Sequence, residues 1–156
     1  MDGFPKVVWW YISWRRYKTT VDEFMRELSD TGKFKTDAVV GVHYGGMGVA
    51  ADIARRDYVP LLRVQSHYVE SSAGIECKAV EPEFSGGRVE GRRVLIVDNS
   101  IRTGNTLELA KLLLQELGAL EVRTVVLLQR RRREQVVHPP DYVLFDQRGL
   151  VKRLFW

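Results

Sequence analysis

Thr103, Gly104, Asn105 and Thr106 stand where a short polar turn meets a strongly apolar helical pattern, and Asp98 lies just before them. Two hydroxyls, a glycine and the unpaired N–H groups of a helix start are suited to holding an anion such as a phosphate. Asp98 follows Val94 to Val97, a short apolar run that reads as a strand buried on both faces. A carboxylate at the carboxyl end of such a strand stands where open α/β sheets bind their ligands. The spacing predicts that Asp98 to Arg102 ends the strand. The helix should then run to about Leu117, with Gly118 as its stop. Joints of this kind also occur as plain connections, so the turn alone leaves that reading open.

A second joint precedes the first. Asp37 to Val42 is another buried strand pattern, followed by His43-Tyr44-Gly45-Gly46-Met47-Gly48 and a small-residue helix over Val49 to Arg56. Paired glycines let a backbone approach an anion closely and adopt dihedrals that other residues avoid.

The remaining elements must hold these two joints side by side. Val7 to Trp14 reads as an aromatic strand. Thr20-Val21-Asp22-Glu23 reads as a capping box, opening an amphipathic helix with Val21, Phe24, Met25 and Leu28 on one face and its end near Thr31-Gly32. Further strands are expected at Val59 to Val64, Glu121 to Leu128 and Tyr142 to Phe145. Between Gln65 and Arg92 the pattern dissolves into serines, glycines and a proline, as a functional lid or a hairpin excursion would. Strands alternating with helices imply an α/β fold with a parallel central sheet and helices on both faces.

Composition narrows the class. The 156 residues suit one domain, 1–156, with an excursion at about 66–92. The apolar share of 45% and charged share of 28% are those of a soluble globular chain. No apolar run approaches the roughly 20 residues that span a bilayer, and the N-terminus lacks a signal-peptide layout, so a cytoplasmic protein without membrane contact is expected. Cys77 is the only cysteine, which excludes an internal disulfide and a multi-cysteine metal site. The net charge of +4 suits a small polyanion or nucleic acid. Arg130 to Arg133 would suit contact with RNA, but no aromatic platform is interleaved with them, and a solvated strand end is the plainer reading.

The string of apolar strand, acidic residue, spacer and T-G-x-T, preceded by x-x-G-G, resembles the type I phosphoribosyltransferases over roughly residues 7 to 146. Ile12-Ser13-Trp14 and Pro140-Asp141-Tyr142 make it most similar to purine members, the xanthine-guanine and archaeal enzymes. The resemblance implies transfer of phosphoribose from phosphoribosyl pyrophosphate to a nucleobase, a purine by that likeness, with Mg²⁺ and release of pyrophosphate. It implies that Ser100 and Thr103, Gly104, Asn105 and Thr106 hold the 5-phosphate. His43, Tyr44, Gly45 and Gly46 would bind pyrophosphate, with a peptide before Tyr44 that is cis or becomes cis on binding. By the same resemblance the catalytic positions would be Asp98, Asn99 and Arg102, with Asp98 facing the ribose hydroxyls and, indirectly, the metal. Lys152, with Phe155 or Trp156, would read the base. A flexible hood over the reaction centre and a homo-oligomer complete the expectation.

Three positions depart from the family pattern. Tyr44 stands where Lys or Arg is common, Asn99 replaces the second acidic residue, and Arg102 stands where 6-oxopurine enzymes carry Asp. They keep a second reading open: a non-catalytic regulator that binds phosphoribosyl pyrophosphate or a nucleotide and contacts RNA through its arginine run.

Overall fold

The computed structural model describes residues 12–32, 34–71, 74–83, 89–129 and 135–146, and only the backbone of 65–71 and 74–83. Ser13 opens helix α1 (Trp14–Asp30), its hydroxyl accepting the Arg16 N–H at 3.2 Å. Strand β1 (Ala38–Val42), buried throughout, passes directly into helix α2 (His43–Asp57). Strands β2 (Leu61–Ser71) and β3 (Gly74–Glu83) form an antiparallel pair. Strand β4 (Arg93–Ile101), helix α3 (Asn105–Glu116), strand β5 (Glu121–Gln129) and strand β6 (Tyr142–Phe145) follow.

The six strands lie in the order β3-β2-β1-β4-β5-β6, and all neighbours except β2 and β3 pair in parallel. Alternating side chains feed two cores. Val39, Leu95, Val97 and Leu127 pack against Val21, Phe24 and Leu28 of α1 and Ile53 of α2. Val40, Ile96 and Val126 pack on the other face against Leu107, Ala110 and Leu114 of α3. Helices therefore cover both faces, as the strand–helix alternation implied. No helix among the described residues is long and apolar enough to cross a membrane.

Several boundaries differ from the sequence reading. The expected strand over Val7 to Trp14 falls mostly outside the described residues, and its last residue, Trp14, starts α1. The helix begins a turn and a half before Thr20, because Trp14 stacks on Tyr17 at 5.3 Å and Tyr17 extends the apolar stripe of Val21, Phe24 and Leu28. Thr20 is not a cap but a buried residue inside α1. Strand β4 does not end at Val97: Ser100 and Ile101 still pair with Leu128 and Gln129. Within the excursion at 66–92, residues 66–71 and 74–83 pair antiparallel as parts of β2 and β3, and Glu90 forms an isolated bridge to Ala119.

The order reverses at β1, which has β2 on one side and β4 on the other, leaving a crevice outside their carboxyl ends. At the opposite ends of these strands, Arg93 donates to both oxygens of Asp37, at 2.9 and 3.2 Å. The Arg93 hydrogen bond holds the Asp37 carboxyl below its usual range. That stabilisation is present above the unfolded carboxylate value of about 3.9 and is lost as pH falls through the lower folded value. Asp37→Asn is therefore expected to lower the melting temperature near neutral pH and to flatten its further fall into acid. An unchanged acid slope in thermal melts would remove the pair from this role.

Candidate active site

Two helix starts meet at the crevice. Val97 and Asp98 carry β4 to its rim, where Asp98 is 9% exposed and its Oδ1 accepts the N–H of Asn99 at 2.7 Å. After Arg102 the chain turns through Gly104, whose φ of +87° belongs to the left-handed region that glycine enters without strain. Gly104 precedes α3, and no side chain at that position caps the helix. The Thr103 hydroxyl accepts the Asn105 N–H at 3.4 Å. The N–H groups of the first turn of a helix lack intrahelical partners and form an anion site with the positive dipole end.

The second helix start belongs to α2. Its first turn is His43-Tyr44-Gly45-Gly46, again without a side-chain cap and without an acidic residue. No glycine loop precedes it, contrary to expectation; His43 makes the bend from β1 with a φ of +52°. The peptide before Tyr44 is trans, so the first form of that expectation does not hold here. Gly46 serves packing: a Cβ there would stand 2.6 Å from the Val97 carbonyl oxygen, so only glycine lets α2 lie this close to β4. Gly45 likewise faces the Asn99 side-chain amide, 2.8 Å from an added Cβ.

Between the two helix starts lies a cleft of ≈ 420 Å³, lined by Val42, His43 and Gly45 on one side and residues 98–107 on the other. Asp98, Asn99, Ser100, Arg102 and Thr103 to Thr106 are thus brought together with His43 and Gly45. Tyr44 is 76% exposed beside them, while Gly46 is buried beneath. Lys152, Phe155, Trp156 and Arg130 to Arg133 lie outside the described residues.

Sequence reasoning missed one contributor. The segment before β6 closes on the turn before α3: the His138 N–H donates to the Thr103 carbonyl at 3.0 Å. A Cβ on Gly104 would stand 1.9 Å from the His138 carbonyl oxygen. Val136 enters the core on one side of this strap. On the other, Asp141 accepts from the Thr124 N–H and hydroxyl at 2.8 and 3.0 Å. No spacing rule links residues this far apart.

Among the described residues, no group of three or more His, Cys, Asp or Glu is placed to hold a metal ion. Mg²⁺ commonly keeps several waters and takes one or two carboxylates together with substrate phosphates. One carboxylate, Asp98, at the cleft rim fits that mode.

The phosphoribosyl transferase domain family matches residues 13–153. The chain belongs to that family. It is 35% identical over 104 residues to amidophosphoribosyltransferase 1, chloroplastic, of Arabidopsis thaliana, covering 61% of this chain and 18% of that one. It is 32% identical over 111 residues to the transcriptional regulator GfcR of Methanocorpusculum labreanum, covering 70% of this chain and 53% of the regulator. The chain thus aligns with about a fifth of the first relative's length and about half of the second's. The solved purine phosphoribosyltransferase of Pyrococcus horikoshii superposes with a TM-score of 0.71 at 23% identity, over 88% of this chain and 86% of that one. The five parallel strands with helices on both faces are therefore the type I phosphoribosyltransferase fold of that family.

Proposed function

We propose that this family member transfers phosphoribose from phosphoribosyl pyrophosphate to a nucleobase, a purine in the first instance, with release of pyrophosphate. One observation carries the reading: two helix N-termini converge on one cleft, with the buried carboxylate of Asp98 between them. A ligand with a phosphate at one end and a diphosphate at the other matches that charge pattern. In this reading, the amides and hydroxyls of Thr103 to Thr106 hold the 5-phosphate. The first turn of α2 receives the diphosphate through its backbone N–H groups. Asp98 accepts the ribose hydroxyls and stabilises positive charge as it develops at the anomeric carbon. Asn99 adds a neutral acceptor. Rate enhancement would come from positioning and preorganised charge, without a covalent nucleophile. Mg²⁺, when bound, would neutralise the leaving diphosphate, with Asp98 as the protein's carboxylate nearest to it.

The test is to mix the protein with phosphoribosyl pyrophosphate, Mg²⁺ and each common purine and pyrimidine base, and to follow pyrophosphate. Release that depends on a particular base supports the reading; none with any base removes the catalytic claim. The second reading, a regulator that binds the same ligand without turnover, is favoured by one observation, the likeness to a transcriptional regulator. Asn99 and Arg102 agree with it. Ligand binding without pyrophosphate release would select it.

A further inference from the structure

We propose that Asp141 is a positioning residue for the 5-phosphate end of the ligand, acting through the strap on the turn before α3. The inference rests on the proposed 5-phosphate site at the start of α3.

The strap meets the turn with its backbone. The His138 N–H donates to the Thr103 carbonyl at 3.0 Å, and the His138 carbonyl oxygen faces Gly104 so closely that an added Cβ would collide with it. Thr103 and Gly104 both line the cleft, whereas no residue of the strap from 135 to 141 does. Any influence of the strap on a ligand there passes through the turn.

Asp141 fixes the far end of the strap to the sheet. Its Oδ2 accepts the N–H and the hydroxyl of Thr124, at 2.8 and 3.0 Å, and its own N–H donates to the same hydroxyl oxygen at 2.9 Å. Its other oxygen, Oδ1, stands 3.6 Å from Arg123 Nη1. Thr124 is buried and lies on β5 opposite Ile96 of β4, inside the sheet. The pairing of β6 with β5 starts one residue later, with Tyr142 on Val125, so that ladder holds β6 without Asp141. The contacts of Asp141 instead set where the strap leaves the sheet and in which direction.

The link from Asp141 to His138 is stiff. Only Pro139 and Pro140 lie between them. Each proline locks its own φ and holds the residue before it to extended backbone. A displacement at Asp141 is therefore carried to His138 rather than absorbed. From His138 it reaches Thr103 and Gly104, and with them the N–H groups at the start of α3, whose direction decides how well an anion is held.

The test uses the whole chain and two calorimetric probes, ribose 5-phosphate for the α3 end and Mg²⁺-pyrophosphate for the α2 end. Asp141→Ala leaves the buried Thr124 N–H without its acceptor and frees the strap. It should weaken ribose 5-phosphate by about tenfold, as a small misplacement in a preorganised site does, and pyrophosphate by less than about twofold. Asp141→Asn keeps an oxygen that can accept from Thr124 and should recover most of the loss. Thr124→Val removes the shared hydroxyl and should weaken ribose 5-phosphate by about threefold, and its loss should not add to that of Asp141→Ala, because both act through one contact. Thr124→Val carries the test if Asp141→Ala does not fold. Asp37→Asn, at the opposite ends of the strands, is the control for lost stability and should leave both affinities within about twofold. Ribose 5-phosphate affinity unchanged in Asp141→Ala and Thr124→Val, equal weakening of both probes, or the same loss in Asp37→Asn overturns the positioning role and leaves the site reading intact. A wild-type protein that does not bind ribose 5-phosphate overturns the site reading itself, and this inference with it.

Discussion

Gly104→Ala is expected to weaken ribose 5-phosphate binding by about 100-fold, the loss that a misplacement of about 1 Å brings to a preorganised site. Two costs combine. The backbone at Gly104 has a φ of +87°, where a residue with a Cβ is strained by about 1–2 kcal/mol. The added carbon would also stand 1.9 Å from the His138 carbonyl oxygen, so either the turn or the strap must move. Moving the turn misdirects the N–H groups at the start of α3. Gly118→Ala is the control. Gly118 shares the same φ of +87°, but its nearest neighbour is the flexible side chain of Glu90, 3.2 Å from an added Cβ. Gly118→Ala should lower the melting temperature and leave ribose 5-phosphate affinity within about twofold. Calorimetry and thermal melting on both variants check this. Equal affinities for the two variants would show that the turn's geometry does not matter to the anion.

The second large effect is at Asp98. Asp98→Ala is expected to reduce kcat/KM for pyrophosphate release by about 100-fold, and Asn99→Ala by about 10-fold or less. Hydrogen bonds to charged groups are worth about 1.5–3 kcal/mol, and neutral ones about 0.5–1.5 kcal/mol. Asp98 has a further role, since its Oδ1 accepts the Asn99 N–H and steadies the end of β4. Asp98→Asn retains an acceptor there and separates charge from geometry: it should remain impaired by about 10-fold or more. Asn99→Asp restores a carboxylate pair and should strengthen Mg²⁺-dependent binding of phosphoribosyl pyrophosphate. If the protein is a regulator, the same substitution is the one expected to raise turnover from nothing. Asn99→Ala as damaging as Asp98→Ala would contradict the division of roles.

The parts of the fold that were readable from sequence are those whose burial leaves a one-dimensional trace. Val94 to Val97, Val125 to Leu128 and Tyr142 to Phe145 are apolar because both faces of these strands are buried. The start of α1 was hidden by Trp9-Trp10-Tyr11-Ile12, an aromatic run with strand-like composition, immediately before the Ser13 cap. Gly104 and the threonines around it were legible because a turn leading into a helix start is a local feature. Gly45 and Gly46 were legible as special backbone, but not their use: they let α2 settle onto Val97 and Asn99. His138 left no trace, because it reaches the turn before α3 through a tertiary contact across the β5–β6 connection.

The most direct measurement of the central claim is a crystal structure of the protein soaked with phosphoribosyl pyrophosphate and Mg²⁺. The 5-phosphate should sit within hydrogen-bond distance of the N–H groups of Gly104 to Thr106, with the diphosphate at the first turn of α2 and Asp98 facing the ribose. A ligand bound with its phosphates elsewhere, the cleft between α2 and α3 left empty, would contradict it.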